Sequence, residues 1–372
     1  MSARPFVVAA TRAGYVVTCI DAFADKQTIE LAEAAIVVDY GQYGFDADGL
    51  LSAIARLDAS QYLGFIYGSG FEAQPDLLQK IAAFIPLIGN SAETVATVKA
   101  TNSFFAVLDK CNIAYPKVHE ILPDGVDSTV YLRKLVGGCG GTHISFATAN
   151  SATQLSQHYY QQWVDGRSVS LLFVANAHGV EVIGFNEQWL SPAKTLPFRY
   201  GGAVNNIVLS QAIQQQLIKA AECLTMAFGL IGLNSLDAVV SDEMAYMLEI
   251  NPRLSATFDL YEDANLMDRH LQACLDGKLR QHHPLQSADE VDGRSKAHVI
   301  LYAKEDVNIA VTFEWPNWVM DVPQLAKQQK EINILAGEPI CTVSSQANNA
   351  DQAQQLAYIR LEKMQQLLQL ND

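Results

Sequence analysis

Positive charge is in short supply in this chain. It carries 25 lysines and arginines against 40 aspartates and glutamates, a formal net charge of -15. A protein that works by neutralising a phosphate backbone needs a basic stripe, and none runs along any segment. Nucleic-acid binding is therefore excluded as a main activity, although a local lysine or arginine group can still hold one nucleotide. Long hydrophobic runs are missing as well. Each breaks well short of the ~18 residues of a membrane span, so no membrane partner is expected. Residues 5 to 19 are apolar, but Arg12 interrupts them and no small-residue cleavage site follows, which argues against a signal peptide. The six cysteines, at 19, 111, 139, 223, 274 and 341, form no CxxC pair and have no histidine at zinc spacing. They read as free thiols of a reducing, cytoplasmic compartment. Repeats and low-complexity tracts are absent.

What is present is a globular composition. Hydrophobic residues make up 49% and charged residues 17% of the chain, which excludes a disordered protein. A length of 372 residues exceeds one ordinary core and predicts two or three domains.

The most informative stretch is Leu248-Glu249-Ile250-Asn251-Pro252-Arg253, with Asp237 twelve positions before Glu249. Ser241-Asp242-Glu243 separates two apolar runs as a hairpin turn would. Folding about residues 242 and 243 sets Asp237 opposite or diagonal to Glu249, where paired side chains sit about 5 Å apart. Glu249 and Asn251, two apart, leave the strand on one face. Acidic residues at a hairpin are commonly just solvated. A carboxylate flanked by Met247, Leu248 and Ile250, however, is either paired or bound to a cation. Two carboxylates and an amide oxygen suit Mg²⁺, or Mn²⁺, alongside nucleotide phosphates. Arg253 adds a fork of donors for transferred-phosphoryl charge.

The first ~95 residues alternate apolar strands (Tyr15 to Asp21, Ala35 to Asp39, Tyr62 to Tyr67) with helical patterns, which predicts a parallel βαβ sheet. Arg4 to Ala13 reads as a helix ended by Gly14, and no strand precedes it. Tyr67-Gly68-Ser69-Gly70-Phe71-Glu72-Ala73 fits GxGxxA, which leaves an NAD(P)-dependent oxidoreductase as an alternative. The motif lies after a late strand instead of in the first βα turn, and no acidic strand end follows ~20 residues on. Val130 to Lys134 reads as a strand entering Gly137-Gly138-Cys139-Gly140-Gly141. Such a loop leaves backbone N–H groups open to phosphates without being a P-loop, since no GK[ST] ends it. Val169 to Ala175 and Val180 to Phe185 read as a hairpin about His178-Gly179. Gln211 to Phe228 reads as a helix with one buried face. His282-His283 lacks a third metal ligand, and Ser287 to Lys296 is the clearest linker. Val299 to Ala303 and Ile340 to Val343 read as strands. Gln352 to Leu370 reads as a helix with Leu356, Ile359, Met364, Leu367 and Leu368 inward.

Asp237 followed by Glu249-Ile250-Asn251-Pro252-Arg253 resembles the metal-binding end of the ATP-grasp superfamily, whose members typically join a carboxylate to an amine or thiol through an acyl phosphate. The order of Lys99, Lys134, glycine loop, lobe linker and metal hairpin strengthens the resemblance. It implies an α/β fold, α+β in its central part: an N-terminal Rossmann-like domain (1–95), a two-lobed ATP-grasp domain (96–285, lobes about 96–165 and 166–285) and a C-terminal β/α cap (296–372). It implies ATP and Mg²⁺ as cofactors, with Asp237, Glu249 and Asn251 on the metal. Lys99, Lys134, Gly137, Gly138, Gly140 and Gly141 would lie on the ATP phosphates. Tyr160 to Ser168 resembles the lobe linker, where backbone groups of Gln162 and Val164 would read adenine, with Gln161 near its exocyclic amine and Ser168 near the ribose. Trp163 reads as core. Many members have glutamates at the positions of Gln162 and Ser168 and a proline at Leu135. Arg253 would steady the oxyanion, and Arg199, in Pro197-Phe198-Arg199-Tyr200-Gly201-Gly202, would serve a substrate or γ-phosphate loop. The resemblance further implies a ligase forming C–N bonds between small-molecule carboxylate and amine substrates, paired as a homodimer. Ser2-Ala3-Arg4, Tyr67 to Phe71 and Gly337-Glu338-Pro339-Ile340 are similar to ATP-grasp proteins of one-carbon metabolism in methylotrophs and to archaeal tyramine–glutamate ligases. That similarity implies biosynthesis of a methanofuran- or tetrahydromethanopterin-type cofactor. A non-catalytic nucleotide-binding protein is the remaining alternative.

Overall fold

A computed structural model describes residues 2–41, 43–123, 125–148, 157–261, 265–279, 294–323 and 331–370. His282, His283 and most of the Ser287 to Lys296 linker lie outside the described residues. Among the described residues no helix is long and apolar enough to cross a membrane.

The N-terminal part opens on α1 (Arg4–Arg12), closed by Gly14 at φ 88°. β1 (Thr18–Asp21), α2 (Lys26–Leu31) and β2 (Ala34–Val37) follow, with the two strands paired in parallel. A small hairpin of β3 (Tyr40–Gly41) and β4 (Gly44–Phe45) leads to α3 (Ala47–Ala55) and α4 (Pro75–Ala82). The expected strand at Tyr62 to Tyr67 is reduced to one parallel bridge between Phe65 and Leu87. The parallel sheet is thus shorter than the sequence predicts. The apolar residues that suggested strands are buried mostly against helices, in a core of Leu50, Ile54, Leu77, Leu78 and Ile81.

Ser91 caps α5 (Ala92–Lys99) by accepting from the Thr94 N–H, and Ala100 takes an extended conformation that ends it before α6 (Thr101–Lys110). Lys99 therefore projects from the last residue of a helix whose direction is broken just behind it. β5 (Val118–His119), β6 (Tyr131–Leu135), β7 (Ile144–Phe146) and β8 (His158–Gln162) form a four-stranded antiparallel sheet in the order β5-β8-β6-β7.

The second sheet is larger. β9 (Arg167–Asn176), β10 (Gly179–Leu190) and β11 (Tyr200–Asn205) precede α7 (Gln211–Phe228). Then come β12 (Gly232–Ser241), β13 (Met244–Asn251) and α8 (Leu266–Leu275). The C-terminal part adds β14 (Ser295–Tyr302), β15 (Val307–Ala310), β16 (Val319–Met320), β17 (Glu331–Ile334), β18 (Pro339–Ala347) and α9 (Ala350–Leu367). Among the described residues eight strands join in the order β13-β12-β9-β10-β11-β14-β18-β16. β14 pairs with β11, so the C-terminal strands continue the central sheet, while β15 and β17 pair apart from it. α6, α7 and α9 cover one face over a core that includes Leu171, Phe173, Leu217, Leu224 and Met247. Leu172, Val174 and Leu233 on the other face meet α1 and α8.

Two local expectations are corrected here. The buried stripe of α9 is Ala353, Ala357 and Met364, while Ile359 and Leu367 are exposed. Small alanines let the helix lie close on β14 and β18, which turns the larger aliphatics outward. Cys111 at the end of α6 and Cys223 in α7 are disulfide-bonded, so the chain does not carry six free thiols; Cys19, Cys139, Cys274 and Cys341 are free. The pairing follows from the packing of α6 against α7, which spacing alone does not reveal.

His270 in α8 joins the N-terminal part to the large sheet. Its Nδ1 accepts from the Leu233 N–H at 2.9 Å, which leaves the proton on Nε2, donated to the Ile88 carbonyl at 3.0 Å. Burial pushes His270 down to about 4 from 6.5. Between these values the unfolded chain takes a proton that the native ring refuses, so this contribution is complete above pH 6.5 and is lost as pH falls towards 4. The loss amounts to about 3 kcal/mol. Melting temperature against pH should therefore fall more steeply over this window in the wild type than in His270→Gln. Parallel curves would remove His270 as the cause.

Candidate functional site

The hairpin β12–β13 turns at Asp242, φ 53°, and pairs Asp237 with Glu249 and Ser235 with Asn251. Asp237, Glu249 and Asn251 therefore gather at one sheet edge. Asn251 Nδ2 donates to Asp237 Oδ2 at 2.9 Å, and Gln188 Nε2 donates to Asp237 Oδ1 at 3.2 Å. Lys99 Nζ stands between two of the three groups, 3.1 Å from Glu249 Oε2 and 3.2 Å from Asn251 Oδ1. Burial, and then the charge of Glu249, push Asp237 up to about 6. Burial also pushes Glu249 up, but Lys99, Lys134 and His143 outweigh it and hold it down at about 2.

One face of the smaller sheet carries the second lysine. Register puts Leu132 opposite Gln161 and Lys134 opposite Tyr159, and opposed residues of an antiparallel pair share a face. Lys134 is buried; burial lowers its ammonium, but the charges of Tyr159, Glu249 and Asp237 outweigh that and hold it above its usual range. Lys134 Nζ donates to Gln161 Oε1 at 3.1 Å, which fixes the amide orientation, because an ammonium has no acceptor. Gln161 Nε2 is then a buried donor with no partner among the described residues. The backbone just beyond is tied to its neighbours, Gln162 N–H to Lys117 O at 2.8 Å and Trp163 N–H to Val130 O at 2.8 Å. Val164 follows the strand end, and Ser168 is half-buried opposite Val239 in β12. Trp163 is not core. It is 42% exposed and stands 5.5 Å from the Phe198 ring in a group with Phe146. Its indole lies at the surface because β8 ends one residue earlier.

The glycine loop is docked onto two other segments. A Cβ on Gly137 would meet Glu72 O at 2.3 Å, and one on Gly141 would meet Phe198 O at 1.8 Å. Both glycines have positive φ, 72° and 71°. Gly138 passes beneath the His143 ring, whose Nδ1 lies 3.4 Å from Cys139 O, and Tyr200 N–H donates to Gly140 O at 3.0 Å. Burial pushes His143 down to about 4, against the opposing pull of the Glu249 charge.

Arg253 joins the cluster through a residue that sequence reasoning passed over. Its Nε donates to Glu72 Oε1 at 2.7 Å and its Nη2 to Asn251 Oδ1 at 3.2 Å. Glu72 Oε2 in turn accepts the N–H groups of Gly70 (2.9 Å) and Phe71 (3.1 Å). The donors that a dinucleotide pyrophosphate would need from the GxGxxA turn are thus already used. No local signal marked Glu72, which stands between Phe71 and Ala73 beside a glycine turn, as a buried, paired carboxylate. Its partner lies 181 residues away. Arg199 does not reach the cluster. It donates to Ser191 O (2.9 Å) and Gly337 O (3.2 Å), and its guanidinium lies 3.6 Å from the Tyr302 ring centre. Its backbone lines the glycine loop while its side chain runs toward the C-terminal strands.

The site suits a hard divalent cation and a nucleotide. Among the described residues no group of three or more His, Cys, Asp and Glu side chains is set to hold a metal. Two carboxylates and an amide leave the rest of the shell to phosphate and water, as Mg²⁺ prefers. The Lys99 ammonium stands in for a cation there, and the unpartnered Gln161 N–H calls for an acceptor from a ligand.

Comparison with known proteins agrees with this geometry. The ATP-grasp domain profile matches residues 103–257. Tyramine–L-glutamate ligase of Methanocaldococcus jannaschii is 27% identical over 128 residues, 34% of this chain and 36% of that protein, so the match spans about a third of that relative's length. The crystal structure of L-amino acid ligase from Bacillus licheniformis has a TM-score of 0.66 at 15% identity, covering 96% of this chain and 94% of that one. Pyruvate carboxylase of Rhizobium etli has a TM-score of 0.69 at 15% identity over 94% of this chain but 34% of that one. The profile match over residues 103–257, which include the in-register acidic hairpin, makes the central part of the chain similar to an ATP-grasp domain.

Proposed function

We propose that the chain is an ATP- and Mg²⁺-dependent ligase that joins a carboxylate to an amine through an acyl phosphate. The observation that carries this reading is the in-register pair Asp237–Glu249 with Asn251 beside it, the charges of both carboxylates acting on Lys134. Asp237, Glu249 and Asn251 would hold the cation, which supplies charge neutralisation at the nucleotide phosphates. Lys99 and Lys134 offset the same charge, so this chain contributes positioning and electrostatics with no protein nucleophile. The substrate carboxylate attacks the γ-phosphate, giving an acyl phosphate and ADP; the amine then displaces phosphate. Glu72 and Asn251 orient Arg253, whose remaining N–H donors meet the developing oxyanion.

The likeness to tyramine–L-glutamate ligase makes glutamate the first acid to test and tyramine-like compounds the first amines, in a one-carbon-cofactor type of biosynthesis. The test is ADP release with glutamate and other amino acids, each paired with tyramine, tyrosine and related amines. Amine-dependent ADP release is expected from at least one pair. Its absence throughout, together with thermal stabilisation by NAD(P)H and not by ATP-Mg²⁺, would end the proposal in favour of an oxidoreductase.

A further inference from the structure

Lys99 holds the same oxygens that the cation needs. Its ammonium is buried, 6% exposed, with Glu249 Oε2 and Asn251 Oδ1 as its hydrogen-bond acceptors. Asn251 Oδ1 also accepts from Arg253, so neither of its lone pairs is left for a metal while Lys99 stays. An ammonium and a divalent cation on the same two oxygens would repel at close range. Either one is present or the other.

From this exclusion we propose that Lys99 is an internal cation that blocks divalent metal binding until nucleotide phosphates draw it away. The inference rests on the cation site proposed above. Without nucleotide, the ammonium offsets the charge of Glu249, occupies Asn251 Oδ1, and the site has little affinity for metal. With a triphosphate in the cleft, Lys99 exchanges a carboxylate for phosphate oxygens and vacates Glu249 and Asn251. Position supports the exchange. Lys99 is the last residue of α5, and its long side chain can swing without moving the strands that carry the acids. Lys134 cannot take its place, because it is held on the opposite sheet by Gln161. Nucleotide and metal therefore enter together or nucleotide first, which keeps free metal from filling the site alone.

The probe is Mn²⁺, followed by electron paramagnetic resonance and calorimetry on the full chain without nucleotide. Lys99→Met and Lys99→Gln, each checked by circular dichroism, should bind Mn²⁺ at least tenfold more tightly than the wild type, whereas Lys99→Arg should stay within about threefold of it. With a non-hydrolysable ATP analogue present, the neutral variants should lose that advantage, because Lys99 no longer competes. Equal or weaker Mn²⁺ binding by both neutral variants would overturn the proposal. Wild-type crystals soaked in Mn²⁺ give a check independent of the variants, since metal on Glu249 and Asn251 with Lys99 still bonded to both would overturn it as well. If the wild type binds no Mn²⁺ even with the nucleotide analogue, the cation site itself fails instead.

Discussion

Glu249→Gln is expected to lower amine-dependent ADP formation by on the order of a thousandfold while the protein still folds. The amide keeps an oxygen for Lys99, so the hydrogen bond at this half-exposed position survives in neutral form. The change in stability should stay near 1 kcal/mol. The missing quantity is negative charge. Without it Asp237 alone faces the cation, and an amide is a poor substitute ligand for a hard divalent ion. ADP release and thermal melting, measured side by side, separate the two effects. Turnover within tenfold of the wild type would remove Glu249 from the proposed metal set.

A Glu72→Ala variant should lose both stability and activity, because it strands a buried guanidinium. Burial raises the carboxyl of Glu72, yet Arg253 and Lys99 outweigh it and hold Glu72 ionised below the usual carboxylate range. Glu72 and Arg253 are nearly inaccessible to water, at 2% and 7% side-chain exposure. Removing one partner of such a pair costs roughly 3–5 kcal/mol, mostly as the uncompensated charge left behind. Glu72→Leu combined with Arg253→Met replaces both charges with apolar groups and should regain most of the melting temperature. ADP formation should stay lost in the double variant, because the donors beside Asn251 are gone. A Glu72→Ala protein that melts with the wild type would show that the pair contributes little.

The Glu72–Arg253 pair also marks a limit of the sequence. Nothing in Gly70-Phe71-Glu72-Ala73-Gln74 announces a buried carboxylate, and no local pattern says which of the 25 basic residues pairs with it. The Asp237–Glu249 register was legible because a short polar turn leaves few ways to fold a hairpin, and alternation then fixes which side chains share a face. α7 was legible from its regular buried stripe, and the structure adds Ser210 and Gly229 as its caps. Trp163 and α9 were misread where exposure depends on what lies across from the residue. An aromatic at a strand end and aliphatics on a helix with two usable faces carry no sign of that neighbour. Arg199 failed likewise, because its guanidinium follows Tyr302, 103 positions on, and not the glycines beside it.

The sequence by itself determined the elements whose causes lie within a dozen residues: the capped helices, the acidic hairpin, the glycine loop and the order in which the cleft residues occur. Tertiary structure alone decided that the C-terminal strands extend the central sheet, that Cys111 meets Cys223, that Glu72 anchors Arg253, and that Lys99 rests on the oxygens of Glu249 and Asn251. The reason is physical. Periodicity and turn chemistry act over one or two turns of chain, whereas the pairing of buried charges is fixed only when distant segments lose water against each other.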